Sequence, residues 1–81
     1  MLTFEGPVVE TQSGFSLRFV DKSGKTVSVQ ISNELMHDCF GIYDVTTADV
    51  ADCALEIGEV ANKMYRGVSP MAIHTHDVAR V

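Results

Sequence analysis

From Phe15 the chain alternates strictly: Phe15, Leu17 and Phe19 are separated by Ser16 and Arg18, and Val27, Val29 and Ile31 alternate with Thr26, Ser28 and Gln30. A period of two predicts two strands, each with one buried face. Between them Asp21-Lys22-Ser23-Gly24-Lys25 has hairpin turn chemistry, including a glycine able to take a positive φ. Six apolar side chains therefore share one face of an antiparallel pair. Ser16, Arg18, Thr26, Ser28 and Gln30 share the other, which water or a second subunit covers. Upstream, Leu2 to Phe4 and Val8 to Thr11 read as strand on either side of a Gly6-Pro7 break, so the first fourteen residues form one strand or two.

After Ile31 the period lengthens. Ser32 caps a short helix from about Asn33 to Phe40, with Leu35, Met36, Cys39 and Phe40 turned to the sheet and Gly41 ending it in the left-handed conformation. A second helix opens at Thr46 or Thr47, where Thr46 and Asp49 have capping-box spacing, and runs to Arg66 before Gly67. Val50, Cys53, Ala54, Ile57, Ala61, Met64 and Tyr65 make its apolar stripe. Asp49, Asp52, Glu56 and Glu59 early, then Lys63 and Arg66 late, follow the order that suits the helix dipole. Gly58 costs this helix about 1 kcal/mol relative to alanine and points to a close crossing over the sheet or another helix. Met71 to Thr75 reads as a last strand returning to the hairpin. The predicted class is α+β: a small, mainly antiparallel sheet with two helices on one face, in the order β-β-(β)-α-α-β.

At 81 residues the chain makes one domain, residues 1–81, with a modest core. Its composition, 46% hydrophobic and 21% charged, is that of a folding chain. Six basic against eleven acidic residues give −5, which repels phosphate and argues against direct binding of nucleic acid or anionic membranes. Arg18, Lys22, Lys25, Lys63, Arg66 and Arg80 are scattered, without interleaved aromatics. No stretch approaches the roughly 18 apolar residues of a membrane span. The first residues lack the basic start and apolar run of a secretory signal, and two cysteines are too few for a disulfide scaffold. A cytoplasmic protein with two free thiols is expected.

Three clusters could carry chemistry. His74-Thr75-His76-Asp77 on a strand would turn both imidazoles the same way, towards one metal, with Asp77 as an oxygen ligand or an orienting group. A transition-metal centre needs a third or fourth ligand, and His37 or a cysteine would have to supply it; two solvated histidines on a polar strand end are the plainer reading. His37, Asp38 and Cys39 suggest a thiol beside an imidazole, but helical neighbours two apart diverge. Both cysteines lie in apolar stripes, where a thiol is inert. Asp52, Glu56 and Glu59, each about one turn apart, offer three carboxylates on one helix face for acid-base work, a divalent cation or a basic partner; a solvated face accounts for them as well. Phosphate-cradling glycine loops, paired C-x-x-C motifs, a G-x-S-x-G elbow and H-E-x-x-H are all missing.

Phe15-Ser-Leu-Arg-Phe19, Gly24-Lys-Thr-Val27, Val29-Gln-Ile-Ser32 running into Glu34-Leu35, and Phe40-Gly41 occur in a familiar order. With Ile57-Gly-Glu-Val-Ala61, Lys63, Tyr65, Gly67, Ile73 and Asp77, the chain resembles the small bacterial family catalogued as domain of unknown function 1488 (DUF1488) from about Phe4 to Asp77. The resemblance implies an α+β fold and an intracellular bacterial origin, and carries no activity, ligand or catalytic residue. The chain departs from the family's pattern at Val29-Gln30, where members often have a cysteine, and in a shorter polar stretch before the hairpin.

These readings converge on a non-enzymatic interaction or accessory domain, needing no cofactor, that meets an unknown protein partner through the exposed sheet face around Arg18 or the acidic helix with Asp52, Glu56 and Glu59. A homodimer paired across polar strand faces or edges is one form of it. The alternatives are a small metal-dependent or thiol enzyme built on His74, His76 and Asp77, and an acidic inhibitor that mimics nucleic-acid charge.

Overall fold

The computed structural model describes residues 1–79; Arg80, counted above among the scattered basic residues, and Val81 lie outside the described residues. The hairpin forms as its alternation requires. Strands β2 (Gly14–Val20) and β3 (Thr26–Ser32) pair antiparallel, Leu17 opposite Val29 and Phe19 opposite Val27. Phe15, Leu17, Phe19, Val27, Val29 and Ile31 are all buried in one core cluster. Each such side chain contributes about 1.5–3 kcal/mol on leaving water. Gly14 allows β2 to approach β3, since a Cβ there would meet the Ile31 carbonyl oxygen.

The N-terminal segment is one strand, β1 (Thr3–Glu10), antiparallel to β2. Its register shifts between Phe4 and Val8, across Gly6-Pro7, where proline has no N–H to give the ladder. Phe4 meets Phe19 edge-on, with ring centroids 5.4 Å apart. On the outer face Arg18 and Glu5 form a 3.0 Å ion pair beside this irregularity.

Helix α1 (Asn33–Phe40) has the expected caps. Ser32 Oγ accepts the Leu35 N–H at 3.1 Å, and Gly41 adopts φ 66°, ψ 25° while its N–H donates to the His37 carbonyl. The long second helix is instead two, α2 (Thr47–Asp52) and α3 (Ala54–Met64), broken at Cys53. The Cys53 N–H turns back to the Val50 carbonyl at 3.1 Å, so α2 lies beside β1 while α3 crosses the core. The capping box at Thr46 and Asp49 forms as predicted. Gly58 marks the close crossing: a Cβ there would stand 3.0 Å from the Phe19 ring. The helix ends at Met64, short of Arg66, whose guanidinium donates to the carbonyls of Lys63 and Tyr65.

The last strand is also shorter than its apolar pattern suggested. Strand β4 (Met71–Ala72) runs parallel to Val29-Gln30 of β3, which makes the sheet mixed, in the order β1-β2-β3-β4. Residues from Thr75 form helix α4 (Thr75–Ala79) rather than strand. The result is an α+β fold with four short helices, α1, α2 and α3 having inner residues in the core. Among the described residues no helix is long and apolar enough to cross a membrane.

Candidate functional site

Helix α3 carries the features that the core does not account for. Its inner residues Ala54, Ile57, Val60 and Ala61 are buried, yet Leu55 is 74% exposed. Glu56 and Glu59, one and four residues further on, are exposed as well and lie to one side of Leu55. On one side of the helix an apolar hollow of about 240 Å³ opens among α1, α3 and α4, floored by Ile31, Leu35, Ile57 and Ile73, with Phe40 and Val78 at its walls and Glu56 and Glu59 at its rim. On the other side Leu55 and Gly58 face Met1, Leu2 and Phe4 across a second hollow of about 220 Å³, and Glu59 reaches this one too. Among the described residues neither glutamate has an ion-pair partner.

Val60 and Ile73 were missed as parts of this surface. Val60 sits just outside the stripe read from the sequence, and Ile73 was assigned to a strand; the signal was the apolar i, i+3 pair Ile57 and Val60, masked by the two glutamates around it. Asp52 does not continue the row. It ends α2 beyond the break, so the three carboxylates do not share one helical face.

The histidine cluster is brought together in a different way from the expected strand. His74 precedes α4, and Asp77 Oδ2 accepts the His74 N–H at 2.9 Å, the acidic half of a capping box, while His76 Nε2 lies 3.3 Å from Asp77 Oδ1. Both carboxylate oxygens are thus engaged locally. The two imidazoles stack with centroids 5.6 Å apart and lie exposed. Among the described residues no set of three or more His, Cys, Asp or Glu side chains is arranged to hold a metal ion.

His37 stacks on Tyr43, with centroids 4.8 Å apart, and takes no part in a thiol pair. Burial pushes the Cys39 thiol up, with the Asp38 charge adding to it. Burial likewise raises Cys53, helped by Glu56, Asp52 and Asp49. Both cysteines are free and hold their protons at neutral pH, the opposite of an activated nucleophile. On the outer sheet face Arg18 is engaged with Glu5 among Ser16, Ser28 and Gln30, and Gln30 borders a hollow of about 180 Å³ with Ser13, Ser32, Ala72 and His74. Comparison with protein-family models, with curated proteins and with solved structures finds no match in any of the three.

Proposed function

We propose that this chain is a non-catalytic interaction domain of the cytoplasm that engages a protein partner through the solvent side of α3. The observation that carries the reading is Leu55, 74% exposed in the first turn of α3 at the edge of one apolar hollow, on the helix whose Glu56 and Glu59 border a second hollow and have no ion-pair partner among the described residues. Apolar surface rimmed by polar groups is the usual character of a protein contact. A phosphate-bearing partner is disfavoured by the net charge of −5 and by Glu56 and Glu59 themselves. The family we propose is DUF1488, on the residues quoted above.

A photo-reactive residue at position 55, introduced in the source cell, tests this against the same residue at position 30 on the outer sheet face. A discrete cross-linked protein from position 55, lost on Glu56→Gln/Glu59→Gln, is expected. Cross-links from position 30 alone would move the function to the sheet. Cross-linking of the chain to itself from position 30 would make it a homodimer paired through that face.

A further inference from the structure

We infer that the hollow among α1, α3 and α4 receives one bulky apolar side chain from a basic peptide segment of the partner, with lysine or arginine beside it meeting Glu56 and Glu59. This rests on the interaction reading above and adds the chemistry of the partner. The size of the hollow sets the first part. At about 240 Å³ it exceeds the ~150 Å³ that suffices for benzene and falls short of the ~300 Å³ where pockets for whole drug-sized ligands begin, so it fits a single large side chain. Its floor of Ile31, Leu35, Ile57 and Ile73 offers that side chain no hydrogen bond. The rim sets the second part. Glu56 and Glu59 stand one turn apart on the same helix, both exposed, and charge complementarity at such a rim selects a cationic flank and rejects an acidic one. An apolar anchor in a pocket with a charged rim is also the arrangement in which a short segment concentrates its binding energy.

The probe is a fluorescein-labelled peptide of alternating lysine and alanine with one central phenylalanine, beside one peptide with alanine for the phenylalanine and one with glutamate for every lysine. Fluorescence anisotropy of the full chain should show saturable binding of the first peptide and at least tenfold weaker binding of the other two. Binding should weaken about tenfold in Glu56→Gln/Glu59→Gln and as salt is raised, since the rim pairs are exposed. Val78→Phe, which fills the hollow from its wall, should weaken it at least tenfold. If that variant loses the wild-type far-UV spectrum, the comparison of the phenylalanine and alanine peptides still decides.

Equal binding of those two peptides would overturn the inference while leaving α3 as an acidic contact surface. A cross-linked partner from position 55 that Val78→Phe does not disturb would do the same. Binding by a chain ending at Ala79 but not by the full chain would make the protein's own last residues the occupant, and a dimer abolished by Val78→Phe would make it a second copy. Either result overturns the proposal, as does absence of binding in every case.

Discussion

Asp21 concentrates more interactions than any other side chain in the hairpin loop. Its Oδ1 accepts the Ser23 hydroxyl at 2.6 Å, the Ser23 N–H at 2.9 Å and the Lys25 N–H at 3.0 Å, while Oδ2 accepts the Tyr65 hydroxyl at 2.9 Å. The Ser23 hydroxyl above all, then the Lys25 N–H, hold this carboxyl well below the usual carboxylate range, against a smaller opposing effect of burial. A depressed folded pKa means stability that is complete above the unfolded value of about 4 and is lost as the pH falls below it towards the folded value. Asp21→Asn keeps one acceptor oxygen and removes the charge. The difference in melting temperature between wild type and this variant should be constant from about pH 5 to 7 and shrink steadily below about pH 4. A difference that stays constant to the lowest pH would show that the charge of Asp21 contributes nothing. The turn itself was legible from Asp21 to Lys25, because its hydrogen bonds are local. The Tyr65 contact was not, since it joins positions 44 apart and no local pattern encodes it.

At the scale of elements, local chemistry and tertiary packing divide the credit. Both helix caps were readable because Ser32, Gly41, Thr46 and Asp49 act within three or four residues of themselves. Thr46→Ala removes the acceptor of the Asp49 N–H and one donor to Asp49 Oδ2, and should cost about 1 kcal/mol, measured by urea unfolding. In a double-mutant cycle Asp49→Ala should add little to it, because the two side chains share one motif. The break at Cys53 was illegible for the opposite reason. No glycine or proline marks Asp52-Cys53; the break falls where the chain passes from α2 beside β1 to α3 over Phe19. The strand expected over Met71 to Thr75 failed similarly: pairing reaches only Val29 and Gln30 of β3, and Asp77 then draws His74 into a helix start. Gly58 tests which influence is stronger. Alanine would gain about 1 kcal/mol of helix propensity but press on a ring that is fully buried, where overpacking costs about 1–3 kcal/mol. Gly58→Ala should therefore lower the melting temperature, and in a Phe19→Leu background the same change should raise it.

For the whole molecule, what matters is how the two ends of the chain are tied to the middle. Asn62 of α3 brackets Leu2, accepting its N–H and donating to its carbonyl. Tyr65 reaches Asp21, the Lys25 ammonium donates to the Gly67 carbonyl at 3.1 Å, the Ser28 N–H to Ser69 Oγ at 3.1 Å, and the Ile73 N–H to the Gln30 carbonyl at 2.9 Å. Helix α2 lies along the outer strand β1, and the segment from Gly67 to Ile73 lies along β3, so both strands are held by parts of the chain distant in sequence. The same long-range dependence holds α3 in place through Asn62 and the adjoining Tyr65. It also explains why the α3 surface was only half legible: Glu56 and Glu59 stand out in the sequence, but the hollow beside them exists only because β3, α1, α3 and α4 converge, from positions spread between Ile31 and Val78. Since every element is tied to others distant in sequence, the chain should unfold as one unit. Urea transitions followed by far-UV circular dichroism and by tyrosine fluorescence from Tyr43 and Tyr65 should coincide, because one probe lies outside the helices and the other is tied to the hairpin loop. An earlier fluorescence transition would mean that the clamp around Tyr65 opens before the sheet does. The same titration at rising protein concentration reads association directly: a midpoint that does not move reports a monomer, and one that climbs reports a homodimer.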